Sequence, residues 1–237
     1  MNKKATITIL SIIAGIALVL GLLYYYQNQG YIKIFPTAED RQNKKLLTID
    51  RDKFFAPEGL TADKFEAKIR ELEAQKQAVL ENPQDAQAWF VFGHSLEFLN
   101  DHEAAVAVWE KTYELQPLNF VVTVNLANTY QYFLKDFARA EFYYKKTIEI
   151  QPGSTAAYQG LIDLYSFNLK EKQSELEPTV ELAARKDPSN AGKYYATYTE
   201  FLARFGDISI AKTYLAKVKS LDITAYNDLV EAYPELK

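Results

Sequence analysis

Four prolines at 83, 117, 152 and 188 most constrain this chain, because they stand 34, 35 and 36 residues apart. Two of them close nearly the same phrase, EKTYELQP at 110–117 and KKTIEIQP at 145–152. Proline cannot continue a helix and biases the residue before it away from the helical region. The spacing therefore predicts a recurring unit whose second helix stops at each proline before a short turn.

A period of about 34 residues with two helices per unit is the pattern of the tetratricopeptide repeat, and the chain resembles that family over roughly 83–223. In the first unit Trp89, Phe92, Gly93 and Leu96 stand at the family's helix A positions, and Ala105, Trp109, Thr112 and Pro117 at those of helix B. The second unit repeats them as Thr123, Leu126, Ala127 and Tyr130, then Ala140, Tyr144, Thr147 and Pro152, with one residue inserted near Lys135. Small residues are expected to let paired helices approach, Gly93 facing Ala105 and Ala127 facing Ala140, while Trp109 and Tyr144 fill the space between pairs. The third unit carries two inserted residues and has Ile162 and Leu176 in place of the small pair. Pro178 is expected to open its second helix, since proline is well tolerated at the first helical position. The fourth, with Tyr194, Tyr198, Phe201, Ala211, Leu215 and Val218, has Ile223 where the closing proline would fall.

The expected fold class is all-α: a right-handed solenoid of helix-turn-helix repeats preceded by a transmembrane helix. Residues 1–4 form a short tail, 5–26 a transmembrane anchor and 27–60 a tether. A capping helix at 61–82, striped with Phe65, Ile69, Leu72 and Val79 and capped by Thr61, opens the array. The repeats fall at about 83–117, 118–152, 153–188 and 189–223, and 224–237 caps the far end, as open arrays require.

The anchor rests on ATITILSIIAGIALVLGLLYYY, residues 5–26, which carry no charge and end on three tyrosines suited to the headgroup level. No small-x-small cleavage site follows, which favours an uncleaved anchor over a signal peptide. Lys3, Lys4 and the α-amino group before the run against Lys33 and Arg41 after it, with the very short N-terminal tail, give the expectation that the N-terminus is cytoplasmic and the repeats lie outside the cytoplasm. The tether's apolar clusters YIKIF and KFF either pack on the domain or touch the membrane surface. Beyond residue 26 the chain carries 25 Lys+Arg against 31 Asp+Glu, because the first 26 residues hold two Lys and no acid. Such a surface repels phosphate backbones, so nucleic acid is not an expected partner.

Cysteine is absent from the chain, which excludes disulfide and thiolate chemistry. His94 and Glu97, three apart on one helix, have a spacing that can hold a metal, but no third ligand clusters with them in sequence. Neither a phosphate loop nor a nucleophile motif is present. No cofactor, metal or catalysis is therefore expected, and a helical enzyme using His94 and Glu97 is the rival from another class.

The resemblance implies that helix A positions two, five, nine, twelve and thirteen line a concave groove. These are Gln87, Phe90, His94, Glu97 and Phe98 in the first unit, and Val121, Val124, Asn128, Gln131 and Tyr132, with Asn125 beside them, in the second. The third unit gives Ala156, Gln159, Asp163, Ser166 and Phe167, and the fourth Gly192, Tyr195, Thr199, Leu202 and Ala203. Phe90, Phe98, Tyr132, Phe167 and Tyr195 would offer apolar anchors, and Asn125 and Asn128 backbone hydrogen bonds, to a peptide or protein segment. The carboxylate clamp of chaperone-binding members is not reproduced, since Phe90, His94, Ala156 and Gly160 stand at its positions and only Asn125 matches.

Residues 60–117 also look like the repeat subunits of cytochrome c biogenesis systems, which are membrane-anchored and hold apocytochrome tails for haem ligation. The expected function is a membrane-anchored interaction scaffold, with cytochrome c maturation as the implied setting. The alternative is an accessory subunit of a secretion, pilus or translocon assembly that uses its convex face or its anchor. Ser11/Gly15 and Ala17/Gly21 place small residues four apart in the span for such an association.

Overall fold

The computed structural model describes residues 3–29 and 36–237, with side chains from residue 12 onward. The cluster YIKIF at 31–35 lies outside the described residues. The chain divides into two compact units, Met1–Ile49 and Asp50–Lys237.

In the first unit α1 spans Lys3–Asn28. Among the described residues no helix is long and apolar enough to cross a membrane, and the side chains of α1 before residue 12 lie outside that set. Helix α2, Ala38–Leu46, begins at a capping box in which Thr37 and Asp40 satisfy one another's backbone N–H.

The second unit is a run of antiparallel helices. Helix α3 (Ala62–Glu81) precedes the pairs α4/α5 (Ala86–Phe98, His102–Leu115), α6/α7 (Phe120–Thr129, Phe137–Ile150), α8/α9 (Thr155–Asp163, Leu176–Lys186) and α10/α11 (Ala191–Phe205, Ile208–Leu221). A last helix, α12 (Ile223–Ala232), and a 3-10 turn at Pro234–Leu236 follow. Within each pair the two helices pack together, and each second helix packs on the next pair's first: α5 on α6, α7 on α8, α9 on α10.

Local chemistry sets the ends. Helices α3, α5, α7 and α9 stop two residues before Pro83, Pro117, Pro152 and Pro188. The residues before those prolines, Asn82, Gln116, Gln151 and Asp187, have φ of −137°, −136°, −126° and −132°, outside the helical region as a following proline demands. Restarts are capped by Asp85, Asp101, Asn119, Asp136, Ser154, Asp207 and Asp222, each accepting backbone N–H from the first turn. Thr61, by contrast, caps α3 without a side-chain hydrogen bond. Without proline at 223 the chain restarts at once, and Ile223 becomes the first residue of α12.

The core forms between and within pairs. Trp89, Phe92, Leu96, Trp109, Leu126, Tyr144, Tyr158, Leu161, Tyr165 and Tyr194 are almost wholly buried. The polar tips of its aromatics find partners: Trp89 Nε1 donates to Pro83 O (2.8 Å) and Tyr158 Oη to Pro152 O (2.9 Å), six residues back in each case. The small residues act differently from expectation. A Cβ on Gly93 would meet the Trp109 indole at 2.6 Å rather than Ala105, and one on Gly160 would meet the Tyr144 ring at 2.1 Å. Glycine here makes room for an aromatic face, not for close backbones. Tyr144 thereby spans from α7 to the next unit.

Inserted residues are absorbed as π turns, each adding one residue to the helix end. One at Tyr130–Leu134 extends α6, with Lys135 left-handed after it (φ 57°), and another at Leu164–Asn168 extends α8. A kinked 3-10 segment, Lys170–Glu175, then leads into α9. Helix α9 begins at Leu176, not at Pro178, and the proline occupies the third helical position, where its missing N–H has no intrahelical partner to lose.

Residues 50–55, assigned to the tether, are seated on the first pair. Phe54 is buried, Phe55 N donates to Leu99 O (3.1 Å), and Asn100 Nδ2 donates to Phe55 O (2.9 Å). Lys53 reaches Glu103 (3.1 Å) and Arg51 reaches Glu66 (2.8 Å). The KFF cluster thus packs on the repeats.

Candidate functional site, the open face of the first helices

The first helix of each pair, α4, α6, α8 and α10, carries the residues read as groove-lining. Phe98, Tyr132 and Phe167 stand at the same position in three successive units and are 36, 47 and 50% exposed. Each lies at the C-terminal end of its helix or in the π turn that extends it. Lys68 of α3 covers Phe98, its Nζ 5.6 Å from the ring centre. Phe167 meets Phe201 and Phe205 of α10 edge-on at 6.5 and 6.4 Å. Phe205, which is exposed, was not among the expected residues; it lies two positions past Ala203, where the family pattern ends.

Polar residues fill the space between the aromatics. Tyr144 Oη lies 2.7 Å from Asn128 Oδ1 and 2.8 Å from Gln131 Oε1, and Gln131 Nε2 donates to Asn168 Oδ1 (3.1 Å). Gln131 is thereby buried as a strut between units, whereas Asn125 and Asn128 stay half-exposed. Tyr132 Oη donates to Asp163 Oδ2 (3.2 Å), tying α8 to the turn after α6. Burial, with Asp163 beside it, lifts the Tyr132 hydroxyl to about 12. Burial also raises the Asp163 carboxyl, against the opposing pull of Tyr132 and Lys193.

Three expected members stand elsewhere. Glu97 does not pair with His94: its Oε2 meets His102 Nδ1 at 2.8 Å and its Oε1 accepts from Thr129 (3.3 Å), while the His102 ring stacks on Phe133 at 3.9 Å. His94 is exposed, and among the described residues no three His, Cys, Asp or Glu are placed to hold a metal. Phe90 is half-buried and stacks on Trp109 at 6.5 Å. Tyr195 turns toward the second helices, donating to Glu181 (3.1 Å) and lying 5.7 Å from the Tyr214 ring.

The fourth unit's face is shifted because Tyr198 replaces the small residue of the first unit. Its ring stacks on Phe201 and meets Tyr214 edge-on at 4.8 Å, so the helix is held with Thr199 and Leu202 buried. Gly192 is buried as well, its missing Cβ replaced by Asp222 at 2.9 Å. In their place α10 presents Lys193, Thr197 and Glu200. These line one hollow of about 310 Å³ with Asp222, Asp228 and Tyr233, and Lys193 and Thr197 line a second with Gln159 and Asp163 of α8.

The tetratricopeptide repeat model matches residues 86–117 and 124–154. No curated protein sequence matches the chain. Among solved structures, MamA 41-end from Desulfovibrio magneticus RS-1 is similar at 21% identity and a TM-score of 0.55, covering 66% of this chain and 86% of that one. A MamA RS-1 ArsTM double mutant aligns equally well. YrrB, described as a TPR protein with an unusual peptide-binding site, aligns at 21% identity and a TM-score of 0.50 over 70% of this chain and 86% of that one. At such identity the likeness is one of fold: stacked helical hairpins, as found here. The prolines, the paired helices and the matched segments agree: residues 86–117 and 124–154 are tetratricopeptide repeats, and the hairpins stacked beside them have the same fold.

Proposed function

We propose that the open face of the first helices binds an extended, partly apolar segment of another polypeptide, and that residues 5–26 hold the protein in a membrane with its repeats on the extracytoplasmic side. One observation carries the groove reading: Phe98, Tyr132 and Phe167 recur in register on three successive units with 36, 47 and 50% of their surface in water. Aromatics left part-wet at one repeated position of three successive units form a row that a partner can cover, and aromatic anchors dominate binding energy at interfaces. The peptide-binding site of a similarly folded protein, YrrB, supports the same use of the fold. An apocytochrome tail is the segment that the resemblance over 60–117 implies.

The test is crosslinking in the membrane, then capture of the crosslinked partner with the wild type and with Tyr132→Ala/Phe167→Ala. Each ring has about half its surface left to bury, roughly 1 kcal/mol apiece, so the double change should weaken capture by about 30-fold. The helical circular dichroism signal should be unchanged. Undiminished capture by a folded double variant would refute the groove. Protease added from the outer side should cut the repeats only if the proposed topology holds.

A further inference from the structure

Between α8 and α10 the same face opens into a hollow of about 240 Å³ lined by Gln159, Ile162, Asp163, Lys193, Tyr194 and Thr197. That is below the range of pockets for whole small ligands and suits a single side chain. Gln159 Nε2 is shut from solvent and has no hydrogen-bond partner among the described residues. An unmade buried amide donor is costly, and such groups in native folds call for an explanation. The last torsion of glutamine is broad, so this amide can turn toward an acceptor that enters the hollow.

Charge narrows what can enter. The hollow holds one carboxylate, Asp163, and one ammonium, Lys193. A ligand carboxylate is attracted by Lys193 but repelled by Asp163, and a ligand ammonium meets the reverse. A neutral group that both donates and accepts satisfies all sides: its N–H₂ serves Asp163, its C=O serves Gln159 and Lys193, and its methylenes rest on Ile162. Asp163 already accepts from Tyr132, so the hollow is continuous with the aromatic row.

We infer that this hollow is a side-chain pocket that reads a carboxamide, a glutamine or asparagine, of the bound polypeptide. The inference rests on the groove reading above and adds the identity of one residue in the ligand. The probe is a phage library of random twelve-residue peptides panned against the full-length chain in detergent micelles. Enriched peptides should share Gln or Asn at one position fixed relative to their apolar residues. In anisotropy titrations with a selected synthetic peptide, Gln→Leu in the peptide should weaken binding roughly tenfold, as should Gln159→Leu in the protein. The two losses should not add when combined. Asp163→Asn leaves Lys193 as the charged group of the hollow and should shift preference from the Gln peptide toward its Gln→Glu form, a swap that misfolding cannot imitate.

If no peptide is enriched whose binding depends on Tyr132, both the groove and the pocket fall. If Tyr132-dependent peptides emerge without a fixed amide, or their losses add with Gln159→Leu, or Asp163→Asn leaves the preference unchanged, the pocket falls and the groove stands.

Discussion

Glu141, on α7, should fasten the irregular third unit to the second, and its removal should be felt in a defined pH window. The side chain is 8% exposed and accepts hydrogen bonds from Lys145 (2.7 Å), Tyr165 (2.8 Å) and Lys172. Tyr165 lies in the π turn after α8 and Lys172 in the kinked segment before α9, so one carboxylate gathers the segment that departs from the repeat. Burial by itself would raise this carboxyl, but the two ammonium groups and the phenol outweigh it and hold it at about 2 rather than 4.5. At about 1.4 kcal/mol per pH unit that difference is worth at most ~3 kcal/mol. Because Lys145 and Lys172 are 54 and 44% exposed, solvent screening reduces it to ~1–2 kcal/mol. A carboxyl lowered in the folded state contributes fully above about 4.5, and the contribution is lost as pH falls toward 2. Glu141→Gln should therefore lower stability by ~1–2 kcal/mol at pH 7, and its gap from the wild type should close between pH 4.5 and 2. Urea denaturation should be followed by far-ultraviolet circular dichroism and by amide exchange over α7–α9. Both tryptophans, Trp89 and Trp109, lie in the first unit, so their fluorescence reports on the wrong end of a nearest-neighbour array. A Gln variant as stable as wild type at pH 7, or a gap constant down to pH 2, would refute the argument.

Two further perturbations address packing. Gly160→Ala drives a methyl into the Tyr144 ring and should cost ~1–3 kcal/mol in urea denaturation, whereas at Gly153 the nearest atom to an added Cβ is Lys186 O at 3.4 Å and the same change should cost well under ~1 kcal/mol. Equal losses at the two glycines would contradict the aromatic-seat reading. Asn100 has φ 66° and donates to Phe55 O, so Asn100→Gly keeps the left-handed turn but drops the bond, and Asn100→Ala loses both. Limited proteolysis should cut at 50–55 faster in both variants, while stability in urea denaturation should fall further in the Ala variant, by roughly 1 kcal/mol.

Much of the fold was legible because its signals are local. A proline ends a helix wherever it stands, and Asp, Asn or Ser caps the next one, so unit boundaries could be placed without knowing any contact. The π turns were visible only as insertions, one near Lys135 and two in the third unit, since spacing counts residues and does not say which carbonyls they bond. The exposure of Phe98, Tyr132 and Phe167 agrees with the positions that the family resemblance implies, because those helices keep the family's small or modest residues inside. Tyr195 departs from them: the size of Tyr198 decides which side of α10 faces out, and that is a matter of volume against Phe201 on its own helix and Tyr214 on α11. Glu97 illustrates the same limit in electrostatics. Its helical neighbour His94 and its spatial neighbour His102 are both within reach by sequence, but the turn between α4 and α5 delivers only His102 to it.

The sequence by itself determined where helices begin and end, how many units stack and which face of each is apolar, because backbone caps, prolines and helical period act over a few residues. Tertiary structure decided which aromatics remain wet, where the polar hollow opens and which carboxylates are held by ammonium groups. Those outcomes depend on distances between residues some 30 positions apart, which are set only when neighbouring hairpins close on one another and exclude water.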